Sequence, residues 1–307
     1  MSVSVPGLRY CDTARASADE IFPFQFILSA EGIPARFGYR SMKAGTMELS
    51  CSPRLAVARL VAPGGEPAAI CLGVAVDAAG RRVADGVISW AAAPAADFWA
   101  GLEDFTTGLA GRYLVIGWNG GESRIYSDPS GSYPCVYDPD SGTAASSLLL
   151  ALDRDVRGNP DPDVQAALSG TGRMPFGNTG DAGAKLLAAN HYLKLPAVSE
   201  HWFWPRPGDI ADISGAASIG VLEKIQARLT AVTGAIAHSA RALLPLSGGN
   251  GSRTLLACAK PHLGQIARCY TQTHNYNSRA DNQSARLLAG AWGLPHETFA
   301  EELPFSE

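Results

Sequence analysis

The stretch LLPLSGGNGSR, residues 243–253, leaves this chain few ways to fold. An apolar run enters a Ser-Gly-Gly turn and leaves through SRTLLACA, which puts Leu255, Leu256 and Ala259 on one helical face. That order is a strand feeding a glycine-rich loop that opens a helix. The first N–H groups of such a helix lack intrahelical partners and point at the loop, and the helix dipole adds roughly half a positive charge there. Gly248 and Gly249 let an anion approach the backbone, Ser247 and Ser252 offer hydroxyls, and Arg253 stands ready to pair with phosphate or to brace a neighbouring surface. The loop lacks the lysine of a Walker A sequence. A hairpin turn at Asn250-Gly251 is the plain alternative. The helical period of SRTLLACA speaks against it.

The surrounding pattern extends the unit. A long helix over 217–240 precedes the LLPL strand; a helix over 252–260 ends at Pro261; the strand QIARCYT, a helix over 280–291 and a third strand in GLPHETF come after it. Strands alternating with helices predict a parallel sheet of doubly wound type. Upstream, WFWPRPGDIADISG at 202–215 is rich in Pro and Gly and reads as a linker, with Trp202, Phe203 and Trp204 packing between the two halves.

The first two hundred residues obey a different rule. AICLGVAV, VISW, YLVIGW and SRIYS are short apolar runs beside turn signals, and Asn119-Gly120-Gly121 is a hairpin turn between the last two. Phe98, Leu102, Phe105 and Leu109 recur at spacings of three and four, which predicts a helix over 95–110 stopped at Gly111. DPSGSYP makes a second tight connection into CVYD, and GTAASSLLLAL runs from strand to helix. This predicts an α+β layer arrangement of antiparallel sheets with helices.

With 307 residues, a length prior of about two domains agrees with that division. A net charge of −4 without a Lys/Arg-rich block argues against nucleic-acid binding. No apolar run approaches the roughly 18 residues of a membrane span, and MSVSVPGLRYCDT is not a secretory signal, so the expected compartment is the cytoplasm. The six cysteines (Cys11, Cys51, Cys71, Cys135, Cys258, Cys269) show no metal spacing and read as reduced core residues. His262, His274 and His296 read as structural or surface groups.

LSGGNGSR resembles the SGGxDS pyrophosphate loop of the asparagine synthase family, within the N-type ATP pyrophosphatases. RADNQSARLLAGAWGLPHETF is similar to that family's second strand–helix–strand unit, with an acid ahead of an Ala-rich helix and Gly-Leu-x-His after it. LLAANHYLKL…HWFWPR is similar to the segment joining the family's two halves. GRYLVIGWNGGESRIYSDPSGSYPCVY…AASSLLLAL resembles the end of its glutaminase domain. The four matches are collinear over 110–307.

The resemblance implies an Ntn-hydrolase-like domain of antiparallel sheets with helices over 1–205, then a Rossmann-like α/β parallel sheet, incomplete at its C-terminus, over 216–307. It implies ATP and Mg²⁺ as cofactors, carboxylate adenylation with release of AMP and pyrophosphate, and amide formation. Ser247, Gly248, Gly249, Asn250, Gly251, Ser252 and Arg253 would meet the phosphates. Thr271 and Gln272 stand where family members pass adenine along the backbone. Asp281 matches the acid of the second unit and is the candidate metal ligand, its other reading being a helix N-cap.

Three departures count against activity. Glutamine-hydrolysing members expose a cysteine after Met removal; here Ser2 follows Met1, so no glutaminase activity is expected. Gly251 replaces the acid that holds Mg²⁺ on the phosphates, a hard cation that needs oxygen ligands, and Asn250 supplies only a neutral amide. The sequence also ends where the family continues into a second metal-binding acid and a transition-state lysine. The expectation is an asparagine-synthase-related, catalytically incomplete protein retaining a pyrophosphate-loop remnant. The alternative is an ATP-dependent amide ligase completed by a missing C-terminal half or a partner chain. A protein partner or a second copy would then cover the incomplete sheet.

Overall fold

The computed structural model describes residues 5–61, 66–83, 86–89, 98–209, 215–239, 241–273 and 276–300. Met1, Ser2, His274 and the segment after residue 300 lie outside the described residues. The protein is mixed α/β, with antiparallel, mixed and parallel sheets, and it divides into two compact units: residues 1–75 with 83–210, and residues 76–82 with 211–307.

In unit 1, α1 (Pro6–Ala14) and α2 (Ala18–Ile21) precede β1 (Phe26–Ser29) and the hairpin of β2 (Arg40–Ala44) and β3 (Met47–Cys51). Next come β4 (Val57–Val61), β5 (Pro67–Val76), the short β6 (Arg82–Val83), β7 (Gly86–Ser89) and α3 (Phe98–Thr107). β8 (Ala110–Asn119), β9 (Glu122–Ser127), β10 (Val136–Asp138) and β11 (Thr143–Ala145) lead to α4 (Leu148–Ala151) and α5 (Pro162–Leu168). β12 (Lys185–Leu186), β13 (His191–Leu195) and β14 (Ser199–Trp202) complete it. One sheet has the order β12-β10-β11-β1-β3-β2; the other runs β14-β13-β9-β8-β5-β4-β7, with β6 paired to β5. β4 pairs antiparallel with β5 and parallel with β7, so the second sheet is mixed.

Alternation along the strands builds the layers. Phe26 and Leu28 meet Leu114, Ile116 and Ile125 between the two sheets. Ile27 points the other way, into a core with Leu8 and Cys11 of α1 and Leu150 of α4. Tyr113 and Val115 turn outward from the second sheet onto Phe98 and Leu102 of α3. The order is helices, sheet, sheet, helix. All six cysteines are buried, and no disulfide joins them.

The hairpin expected at Asn119-Gly120-Gly121 is present: Gly120 and Gly121 take φ of 59° and 84°, and Asn119 pairs with Glu122. Both positive values fit a type I′ turn, which glycine adopts without a Cβ penalty. Gly111 corrects the reading. The helix ends at Thr107, and Gly111 lies inside β8 at φ 134°, where a Cβ would collide with the Val74 carbonyl oxygen. It serves a close strand approach, not a helix end. The 202–215 stretch is not a plain linker either. Phe203 is buried beside Tyr126, Trp204 packs against the same core, and Arg206 bridges Glu103 and Asp104 of α3. These aromatic residues belong to unit 1, and only Trp202 is exposed, with its indole N–H donating to the Pro205 carbonyl at 2.8 Å. Residues 210–214 lie outside the described residues.

Unit 2 holds α6 (Ala216–Ser239), β15 (Ala242–Pro245), α7 (Asn250–Ala259), a 3₁₀ turn, β16 (Ile266–Thr273), α8 (Tyr276–Ala291) and β17 (His296–Ala300). The three strands are parallel, in the order β15-β16-β17. Leu244, Leu246 and Cys269 pack with Leu256 of α7 and Ala285 and Ala289 of α8. The opposite sheet face is open: Leu243 is 55% and Phe299 52% exposed. With Arg241, Arg268, Tyr270 and Glu297 they line a shallow depression of about 390 Å³.

Asp128, Asp138 and Asp181 of unit 1 are buried carboxylates, and Asp181 carries the most hydrogen bonds from arginine. Asp181 accepts from Arg154 Nη1 and Nη2 at 2.8 and 2.9 Å and from the N–H groups of Arg157, Gly183 and Ala184. The Arg154 guanidinium above all, with those N–H groups, outweighs burial and holds the Asp181 carboxyl well below the ordinary value of 3.8. A carboxylate with a depressed folded-state pKa contributes stability that is complete above its unfolded value and lost as pH falls below it. Asp181→Ala removes the closer carboxylate partner of Arg154 and leaves it Asp138 at 3.6 Å, and is expected to cost about 3 kcal/mol. Urea denaturation at pH 7 checks this, and the difference from the unsubstituted protein should shrink as the pH drops below 3.8.

Candidate functional site

The site is the junction of β15, the Ser247–Gly249 loop and α7. The helix begins at Asn250, two residues earlier than the periodicity indicates, so Asn250-Gly251 is the first helical turn and not a hairpin. Gly249 is the N-cap residue in an extended conformation, and no side chain caps the helix. The N–H groups of Asn250, Gly251 and Ser252 therefore stand in a first turn that has no intrahelical acceptors.

The loop ahead of them is closed on itself. The Ser247 N–H donates to Ser252 Oγ at 3.0 Å, and the Gly249 N–H donates to Ser247 Oγ at 3.1 Å. The Gly248 N–H donates to Asp281 Oδ1 at 3.0 Å. Asp281 lies in the second turn of α8, so it is not an N-cap there; its carboxylate reaches across to the loop. Gly248 is required by that approach: a Cβ would stand 2.9 Å from Asp281 Oδ1 and 3.3 Å from Ser284 Oγ. Among the described residues nothing lies within 4 Å of a Cβ added at Gly251. Arg253 folds back, its guanidinium donating to Asn250 Oδ1 and to the Gly249 carbonyl.

Beneath the loop, Thr271 Oγ1 donates to the Leu246 carbonyl at 2.7 Å. With its one hydrogen committed, the hydroxyl accepts from His296 Nε2–H at 2.8 Å, which sets the ring's tautomer. Burial first, and then Arg286, push the His296 pKa down and favour the neutral ring. Thr271 is thus a buried support under the loop, its hydroxyl spent on Leu246 and His296. Gln272 is exposed on the open sheet face.

The structure therefore brings together the 247–253 segment, Asp281 and, through Leu246, Thr271, while Gln272 lies exposed on the opposite sheet face. Sequence reasoning missed two contributors, Ser284 and the support role of His296. Ser284 sits one position before Ala285 on the face of α8 that packs against the sheet, so helical spacing from Asp281 was the available signal. His262 packs edge-to-face on His238, ring centroids 5.2 Å apart. Cys11 is buried in α1, where burial first and Asp12 second raise its thiol pKa.

Among the described residues, no three His, Cys, Asp or Glu side chains converge to hold a metal ion, and no helix is long and apolar enough to cross a membrane. Compared with known proteins, the chain matches no family model and no curated protein.

Thr271→Val keeps the shape but strands the Leu246 carbonyl and His296 Nε2–H. An unsatisfied buried group costs about 1–3 kcal/mol, which urea denaturation of unit 2 will register.

Proposed function

We propose that the chain is an asparagine-synthase-related protein that keeps a pyrophosphate-loop scaffold and lacks a complete catalytic apparatus. On this reading unit 1 is an Ntn-hydrolase-like domain without its nucleophile. The helices–sheet–sheet–helix layering supports it, and so does the burial of Cys11. Unit 2 is a partial Rossmann-like ATP pyrophosphatase domain, supported by three parallel strands in sequential order with the glycine loop after the first.

One observation carries the functional half. The first turn of α7 leaves three backbone N–H groups uncapped, yet position 251 carries no carboxylate. The backbone can receive an anion; the side chains cannot handle its metal. Mg²⁺ demands near-octahedral oxygen coordination. Near the loop the donors are the Ser247 and Ser252 hydroxyls, bonded to each other at 3.0 Å, and Asp281, one of whose oxygens already serves Gly248. This set does not fit a Mg²⁺ site, and no chemical step is routed through one. The open sheet face with Leu243 and Phe299 would be covered by a protein partner or a second copy, since exposed apolar patches of this kind mark association surfaces.

Titration calorimetry with ATP and Mg²⁺ tests the reading. Binding weaker than about 1 mM, a free energy near −4 kcal/mol, is expected; micromolar Mg²⁺-dependent binding would show a working nucleotide site and return the ATP-dependent ligase. Gly251→Asp enters open space and should introduce Mg²⁺ dependence if the acid alone is missing.

A further inference from the structure

We infer that Asp281 is a built-in anion that occupies the loop and holds back phosphate ligands. This rests on the reading of residues 247–252 as a phosphate loop. It concerns what controls that loop, and it gives Asp281 a role opposite to that of a metal ligand.

The geometry singles out this side chain. Asp281 belongs to α8, 33 residues beyond the loop, and places a carboxylate oxygen 3.0 Å from the Gly248 nitrogen. A carboxylate is the chemical stand-in for a phosphate oxygen at a backbone N–H. Glycine at 248 is what permits the contact, because a Cβ there would stand 2.9 Å from Asp281 Oδ1. Gly249 and Ser247 meanwhile give their N–H groups to the loop's own serine hydroxyls. An incoming phosphate therefore finds the donors of residues 247–249 taken and a carboxylate already hydrogen-bonded to the loop at Gly248. Arg253, the nearest cation of the segment, is turned back onto Asn250 and Gly249. Like charges a few ångströms apart at a protein surface repel by an energy worth well over a factor of ten in binding.

The role is one of position and charge, and the two separate experimentally. Asp281→Asn keeps an oxygen for the Gly248 N–H and removes the charge; Asp281→Ala removes both. Pyrophosphate binding to the full chain is measured by calorimetry in the presence of EDTA, with thermal unfolding measured alongside. Asp281→Asn should melt close to the unsubstituted protein and bind pyrophosphate about tenfold tighter or better. Asp281→Ala should also bind tighter while melting earlier. Equal or weaker binding by Asp281→Asn, with measurable binding by the unsubstituted chain, overturns the inference and leaves the phosphate loop standing. A loss of Mg²⁺-dependent ATP binding in Asp281→Asn likewise overturns it in favour of a metal ligand. Failure of all three proteins to bind pyrophosphate overturns the phosphate-loop reading itself, and the inference falls with it.

Discussion

Each β-strand sends alternate side chains to opposite faces, and the architecture of both units turns on which of those faces are dry. In unit 1 the central strands of both sheets are dry on both faces. β5 and β8 feed the inter-sheet core through Ile70, Leu72, Leu114 and Ile116 and the α3 core through Ala69, Cys71, Tyr113 and Val115. Such strands must be apolar at nearly every position, as AICLGVAV and YLVIGW are. A polar group buried at such a sheet costs free energy unless it is hydrogen-bonded. Asp128 at its margin shows how a buried carboxylate is accommodated. Fully buried, it takes N–H bonds from Ser130, Ser132 and Tyr133 and so holds the DPSGSYP turn into β10.

Unit 2 obeys the same rule on one face only. Leu244, Cys269 and the buried face of α8 make its core, while Leu243, Tyr270 and Phe299 alternate to the other side, where Leu243 and Phe299 are exposed. The loop inherits its shape from the dry face. Thr271 and His296 both project there, and their relay fixes the Leu246 carbonyl one residue before the loop begins. Asp281 projects from the helix packed on that face and fixes the loop's next turn. Packing, and not the loop's own sequence, thus decides where its donors point.

That division explains what was legible in the residues. Strand–loop–helix order, parallel pairing in unit 2 and the Gly120-Gly121 hairpin come from local period and turn chemistry, which are written in contiguous residues. Gly111 misleads because a glycine near a helix end and a glycine at a strand crossing look alike until Val74 is known to lie against it. The WFWPR stretch misleads for a related reason: Pro and Gly mark chain direction changes, but Phe203 and Arg206 answer to α3, a hundred residues away. The helix α1 is too short, at nine residues, for its period to stand out. Ser247 to Arg253 were readable as a group, whereas the Asp281–Gly248 bond spans 33 residues and depends on how α8 packs.

On the proposed reading, the split between backbone and side chain also explains why such a loop persists without its chemistry. An anion seat made from N–H groups and a helix dipole is a property of the strand–turn–helix connection and survives any substitution that keeps the turn. Metal handling rests on a few side-chain carboxylates and is weakened by a single change, here Gly251. What limits anion binding then is the remaining charge in the neighbourhood, and Asp281 supplies it from a helix whose position is set by the core. A loop of this kind is held in its phosphate-ready shape by the same residue that discourages phosphate from entering.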